Sequence, residues 1–207
     1  MLAALAVMAA ACASGGSAQQ PPIIQPGAPG EAPRAITAER AVDQRAVGHT
    51  LADVVFMQSM IRHHYQAVEM TSLRAGRSSR DEMRLLMLRI ELSQVDEIAA
   101  MGAWLKARGQ MVPDEHAGHG LAATLMPGML TVDEMEKLKA AKDEAFDRLF
   151  LELMIKHHEG ALVMVEDLFG NPGAAQDSEV FAFASDVVED QRAEIARMAG
   201  MLKELQK

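Results

Sequence analysis

Two eleven-residue stretches, MIRHHYQAVEM from Met60 to Met70 and MIKHHEGALVM from Met154 to Met164, set adjacent histidines between framing methionines twice in one chain. Neutral imidazole is a common metal ligand, and thioether sulfur is a soft one suited to Cu(I). The primary candidate ligands are therefore Met60, His63, His64 and Met70 in the first copy, and Met154, His157, His158 and Met164 in the second. A plainer reading makes the histidines polar core residues bonded to Gln94, Gln191, Asp53 and Asp147. Two His-His pairs with methionine on the same face favour ligation. Asp53, Asp147 and Met57 are further candidates on the motif helices. Between the copies, DEHAGHG (His116, His119) and MPGM (Met126, Met129) could form an accessory site.

The elements that must position these residues read as helices. On a wheel with Phe56 at zero, Met60 falls near about 40°, His63 near about −20° and Ala67 near about 20°, with His64 about 80° round beside Met57. Both histidines thus belong to the buried side, His63 at its centre. The first helix is expected after Gly48 to about Ala75, stopped by Gly76. A Ser79/Glu82 capping box is expected to open the second, which ends before Gly109. Residues 109–130 read as a linker. A Thr131/Glu134 capping box opens a third helix running to Gly170, and Asp177 or Ser178 caps a fourth that reaches the C-terminus.

The repetition extends beyond the motif. Asp53, Phe56, Met60, Ile61, His63, His64, Ala67 and Met70 recur displaced by 94, from Asp147 to Met164. Gln94, Glu97, Ile98, Met101 and Leu105 recur as Gln191, Glu194, Ile195, Met198 and Leu202, displaced by 97. Duplication of a helical hairpin accounts for both displacements. Each second helix carries an apolar stripe interrupted once by glutamine, at Gln94 and Gln191. A buried amide of that kind needs a partner. Met83, Met87, Met101 and Met198 read as packing.

Composition bounds the rest. The net charge of −9 and pI near 5.2 argue against nucleic-acid or anionic-membrane partners. Only 4% of the chain is aromatic, so methionine and leucine must fill much of the core. Residues 1–18, uncharged and apolar, resemble a secretory leader, although a basic start is missing. The single cysteine, Cys12, lies in an AAAC context that offers a lipid anchor; a plain signal cleaved after Ala13 or Ala18 is the alternative. The remainder has no thiol for disulfides, thiolate metal sites or nucleophilic catalysis. Residues 19–48, Pro- and Gly-rich at first, read as a tether. Export to the periplasm or cell envelope follows. The glutamates of a di-iron bundle, the HExxH of zinc hydrolases, the CxxCH of covalent haem and phosphate-binding glycine loops are all missing.

The repeated D-x-x-F-[ML]-x-x-M-I-x-H-H-x-x-A-x-x-M, followed by Q-x-x-E-I-x-x-M, closely resembles the bacterial domain-of-unknown-function family 305 (DUF305), grouped with ferritin-like folds. The resemblance covers about residues 49–207. It implies an all-α, ferritin-like four-helix bundle of two duplicated hairpins (49–108 and 131–207, joined by 109–130). CopM-like members of the family bind copper, which implies copper as this chain's metal. Copper buffering, transport or resistance is the expected function. A ferritin-like metal-dependent oxidoreductase and a metal-free interaction bundle are the alternatives. A linker of about 22 residues can span at most ~70 Å, enough to cross the length of the bundle. Both crossover and simple up-down wiring stay open, as does the choice between one shared metal site and two.

Overall fold

The computed structural model describes residues 22–25, 32–37, 48–114 and 126–205. The expected leader with Cys12, together with His116 and His119, lies outside the described residues. Residues 1–47 and 48–207 form separate units. In the first, the expected tether contains a short antiparallel ladder, β1 (Ile23–Gln25) with β2 (Arg34–Ile36), pairing Ile23 with Ile36. No described helix is long and apolar enough to cross a membrane.

Among the described residues the second unit is all-α, with five helices: α1 (Leu51–Ser72), α2 (Asp81–Ala107), α3 (Val132–Ala140), α4 (Asp143–Gly170) and α5 (Ser178–Glu204). A Thr50/Asp53 capping box opens α1, and Thr131 with Glu134 forms the expected one at α3. Asp177 caps α5 by accepting from the backbone N–H groups of Glu179 and Val180. Two expectations need correction. Arg80, not Ser79, is the N-cap of α2; it makes no side-chain cap bond and pairs instead with Glu82. The expected third helix is broken at Ala141–Lys142, where extended backbone separates α3 from α4. Asp143 there adopts a φ of 51° and donates its N–H to the Arg77 carbonyl at 2.5 Å. That bond ties the break to the α1–α2 loop.

Helices α1 and α2 form one hairpin and α4 and α5 the other, and the hairpins meet through α1 and α4. Two apolar clusters fill the interior. One joins Val54–Ile61 of α1 to Met101–Leu105, Ala161–Leu168 and Val180–Val187. The other joins Ala67 and Met70 to Met83–Ile90, Phe146–Met154 and Met198. The start of α1 therefore lies beside the end of α4, so these helices run antiparallel. The end of α2 and the start of α4 fall in opposite clusters, so the connection crosses the length of the bundle. The ferritin-like crossover is the wiring present.

Both clusters use methionine as filler. Met57, Met60, Met70, Met83, Met87, Met101, Met154 and Met198 are all buried. An unbranched thioether adapts to the gaps that so few aromatic rings leave. Between the two clusters lies a polar layer: His63, His64, His157, His158, Gln94 and Gln191, each at most 1% exposed. Burying six polar side chains at one level is costly unless each is bonded or holds something.

Candidate metal centre

The antiparallel pairing of α1 and α4 puts the two motifs face to face. The imidazoles of His63 and His157 stack with centroids 3.8 Å apart and planes inclined by 37°. His64 and His158 flank them, with ring centroids 6.4 and 6.2 Å from their sequence neighbours. The first- and third-helix faces of the sequence reading do meet, and one histidine cluster draws on both repeats. The framing methionines interleave. Met60 and Met164 share the cluster on one side of the layer, and Met70 and Met154 share the other. Each side of the histidine layer thus receives one framing thioether from each motif.

Each of the four Nε2 atoms in this layer meets an oxygen. His63 Nε2–H donates to the Pro127 carbonyl at 3.0 Å, and His157 Nε2–H to the His63 carbonyl at 3.1 Å. His64 bonds Glu97 Oε2 at 2.5 Å and His158 bonds Glu194 Oε2 at 2.6 Å. Because each partner is a carbonyl or carboxylate, a hydrogen sits on Nε2, and in a neutral ring that leaves the lone pair on Nδ1. Yet the buried Nδ1 atoms of His63, His64 and His158 have no hydrogen-bond partner. Such an atom forfeits its hydration without compensation.

Electrostatics sharpen the picture. Burial first, then the neighbouring His64, lowers the pKa of His63 to about 3. Burial, then His63 and the outer histidines, pushes His157 well below its ordinary value. Both inner rings are therefore neutral near pH 7, the form that ligates metals. Burial opposes ionisation of Glu97, but hydrogen bonds from His64 and Ser93 outweigh it and hold the carboxyl below its usual range. Asp190 on α5 is raised by partial burial and then by Glu97 and Glu194, which brings both carboxylates near the same acidic edge.

The other candidates have different surroundings. Asp53 uses both carboxylate oxygens, Oδ2 for Thr50 and Oδ1 for the Ala175 N–H at 2.7 Å. It caps α1 and anchors the α4–α5 loop, away from the histidine layer. Asp147 is fully buried at the equivalent place. Burial raises its pKa while Ser78 and Arg80 favour ionisation, although neither oxygen has a well-formed hydrogen bond. Met57 packs in an end cluster with Met101 and Trp104. Met126 is half-buried and Met129 buried, in a strap running across α1 and α4.

The partners that the plainer reading offered the histidines, Gln94, Gln191, Asp53 and Asp147, are not the ones they bond. Their bonds go to Glu97, Glu194 and two backbone carbonyls, and the Gln94 Oε1 has no partner at all. The signal for the glutamates was present, since Glu97 recurs as Glu194 three residues after each core glutamine. Among the described residues, no three His, Cys, Asp or Glu side chains could hold a metal ion by themselves. The donors buried beside the histidines are thioethers, and a mixed nitrogen and sulfur composition suits a soft ion.

Crossover wiring, two duplicated hairpins and a buried His/Met layer define a ferritin-like four-helix bundle with a candidate soft-metal site. The chain matches the domain of unknown function DUF305 over residues 53–202, and it belongs to that family. A DUF305 fragment from Deinococcus radiodurans is 33% identical, with a TM-score of 0.67, over 75% of this chain and 98% of that one. A candidate secreted DUF305 protein from Streptomyces coelicolor is 30% identical, with a TM-score of 0.64, over 75% and 92%. CopM in its Cu(II)-bound form is 27% identical with a TM-score of 0.58, over 73% of this chain and 96% of that one. CopM is also similar in Cu(I)- and Ag-bound forms, each at 25% identity. No curated protein matches the chain.

Proposed function

We propose that this is an exported protein that binds copper, preferentially Cu(I), as cargo for buffering, transport or resistance. The observation carrying the reading is the set of buried, partnerless Nδ1 atoms on His63, His64 and His158, between paired methionines. A nitrogen lone pair kept from water and left unbonded fits a ligand awaiting its ion better than a structural polar group. In this reading the nitrogen donors come from among His63, His64, His157 and His158, no three of which group around one ion by themselves, and the sulfur donors from among Met60, Met70, Met154 and Met164, with both repeats contributing. Glu97 and Glu194 accept the Nε2–H bonds, which fixes ring orientation and raises the basicity of Nδ1. The Cu(I)-, Cu(II)- and Ag-bound forms of CopM support the choice of ion. The apolar leader and the candidate secreted relative support export.

The test is uptake. Protein purified after growth in copper-rich medium should retain copper, and the metal-free form should compete with a Cu(I) chelator for a defined stoichiometry. Metal-free protein from such medium, with no competition in the titration, would leave the polar layer as a structural feature of an interaction bundle.

A further inference from the structure

The two motifs are near copies, but they diverge at one inward-facing place: Gln66 in the first is Gly160 in the second. The strap Met126–Leu130 explains both choices. A Cβ on Gly160 would stand 2.1 Å from the Pro127 carbonyl oxygen, and one on Gly128 would stand 2.6 Å from the Lys156 oxygen. Gly128 also has a φ of 74°, where glycine is favoured. Strap and helix therefore meet backbone to backbone, which only a pair of glycines permits. On α1 the Gln66 amide clamps the next part of the strap. Its Oε1 accepts the Leu130 N–H at 2.7 Å and its Nε2 donates to the Leu130 carbonyl at 3.2 Å. At the first of these fastenings the Pro127 carbonyl accepts the Nε2–H of His63.

We propose that the 126–130 strap is a docked cover over the inner histidine pair, and that Gly160, Gly128 and Gln66 are positioning residues that make Pro127 fix His63 with its hydrogen on Nε2. The cover keeps water from the pair and leaves the His63 Nδ1 as the free donor. Passage of an ion to or from the pair requires the strap to lift from Gly160. This deepens the proposed copper reading and rests on it only where metal transfer is measured.

The experiment compares the full chain with Gly160→Ala, Gln66→Ala and Gly200→Ala, the last a helical glycine with nothing within 4 Å of an added Cβ. In metal-free protein, Gly160→Ala should raise diethylpyrocarbonate labelling of His63 by roughly tenfold or more, since local opening controls access to a buried group. Heteronuclear NMR should show its single Nε2–H form giving way to a mixture. Gln66→Ala should shift both readouts in the same direction by less, and Gly200→Ala should match wild type. Release of Ag(I) to a competing thiol should quicken in the same order. Wild-type labelling and tautomer in both Gly160→Ala and Gln66→Ala would overturn the proposal, as would faster labelling with unchanged silver release. If wild type takes up no silver, the copper reading fails by itself, and labelling and NMR still decide the strap.

Discussion

The inner and outer histidines are adjacent in sequence yet differ in everything that governs their chemistry. His63 and His157 stack on each other, bond backbone carbonyls and are held neutral by burial. His64 and His158 point their Nε2–H groups at glutamates that are about 15% and 13% exposed. A backbone carbonyl fixes a ring without adding charge, whereas a carboxylate also increases the electron density on the far nitrogen. The doubled histidine is therefore a division of labour. In the proposed copper reading, one ring of each pair would give a neutral donor at the centre, and the other a donor tuned by the carboxylate that its Nε2–H meets on α2 or α5.

That contrast can be broken from the outer side with the largest effect. Glu97→Gln and Glu194→Gln should each weaken Cu(I) about 10- to 100-fold by removing the oriented carboxylate while keeping shape. Chelator competition reads this directly, and unchanged affinity would make the outer pair equivalent to the inner one.

The inner side shows itself through pH. In the unfolded chain His63 takes up a proton below about pH 6.5, whereas in the fold it resists protonation down to about 3. The unfolded state thus binds more protons across that window, so stability falls as pH drops through it. At pH 5 the loss from His63 is about 2 kcal/mol, and His157 adds in the same direction. Denaturant titration of metal-free protein at pH 7 and pH 5 measures this, and His63→Gln should flatten the dependence.

Replacing sulfur at constant volume is gentler. Met60→Leu with Met154→Leu should cost under about 1.5 kcal/mol of stability at each site, yet weaken Cu(I) more than Cu(II). Parallel titrations with the two oxidation states check the sign. The smallest effect is expected at the strap, where Gln66→Ala should cost about 1 kcal/mol through the lost Leu130 bonds, measurable by thermal unfolding.

Much of this was legible in the sequence because duplication and helical period are local properties. The displacement of 94 aligned the motifs, the wheel turned His63 and His157 inward, and Thr131/Glu134 and Asp177 announced helix starts. What escaped depends on how distant segments meet. No Pro or Gly marks the break at Ala141–Lys142; it is held by the Arg77 carbonyl 66 residues upstream of Asp143 in the chain. The expected Ser79/Glu82 capping box does not form, because Glu82 pairs with the Arg80 side chain. The pairing of His64 with Glu97 depends on the rotation of α2 against α1, which periodicity leaves undetermined. The strap contact between Gly128 and Gly160 looked like an ordinary linker glycine and a drifting motif position until the backbone brought them together.

The central claim is that the inner pair, one ring from each repeat, holds the ion. Competition of a Cu(I) chelator against wild type and against His63→Ala with His157→Ala, with circular dichroism confirming the helical fold, tests it most directly. The account predicts loss of most of the affinity in the double variant with the helices intact. Equal affinity and stoichiometry in the two proteins would contradict it.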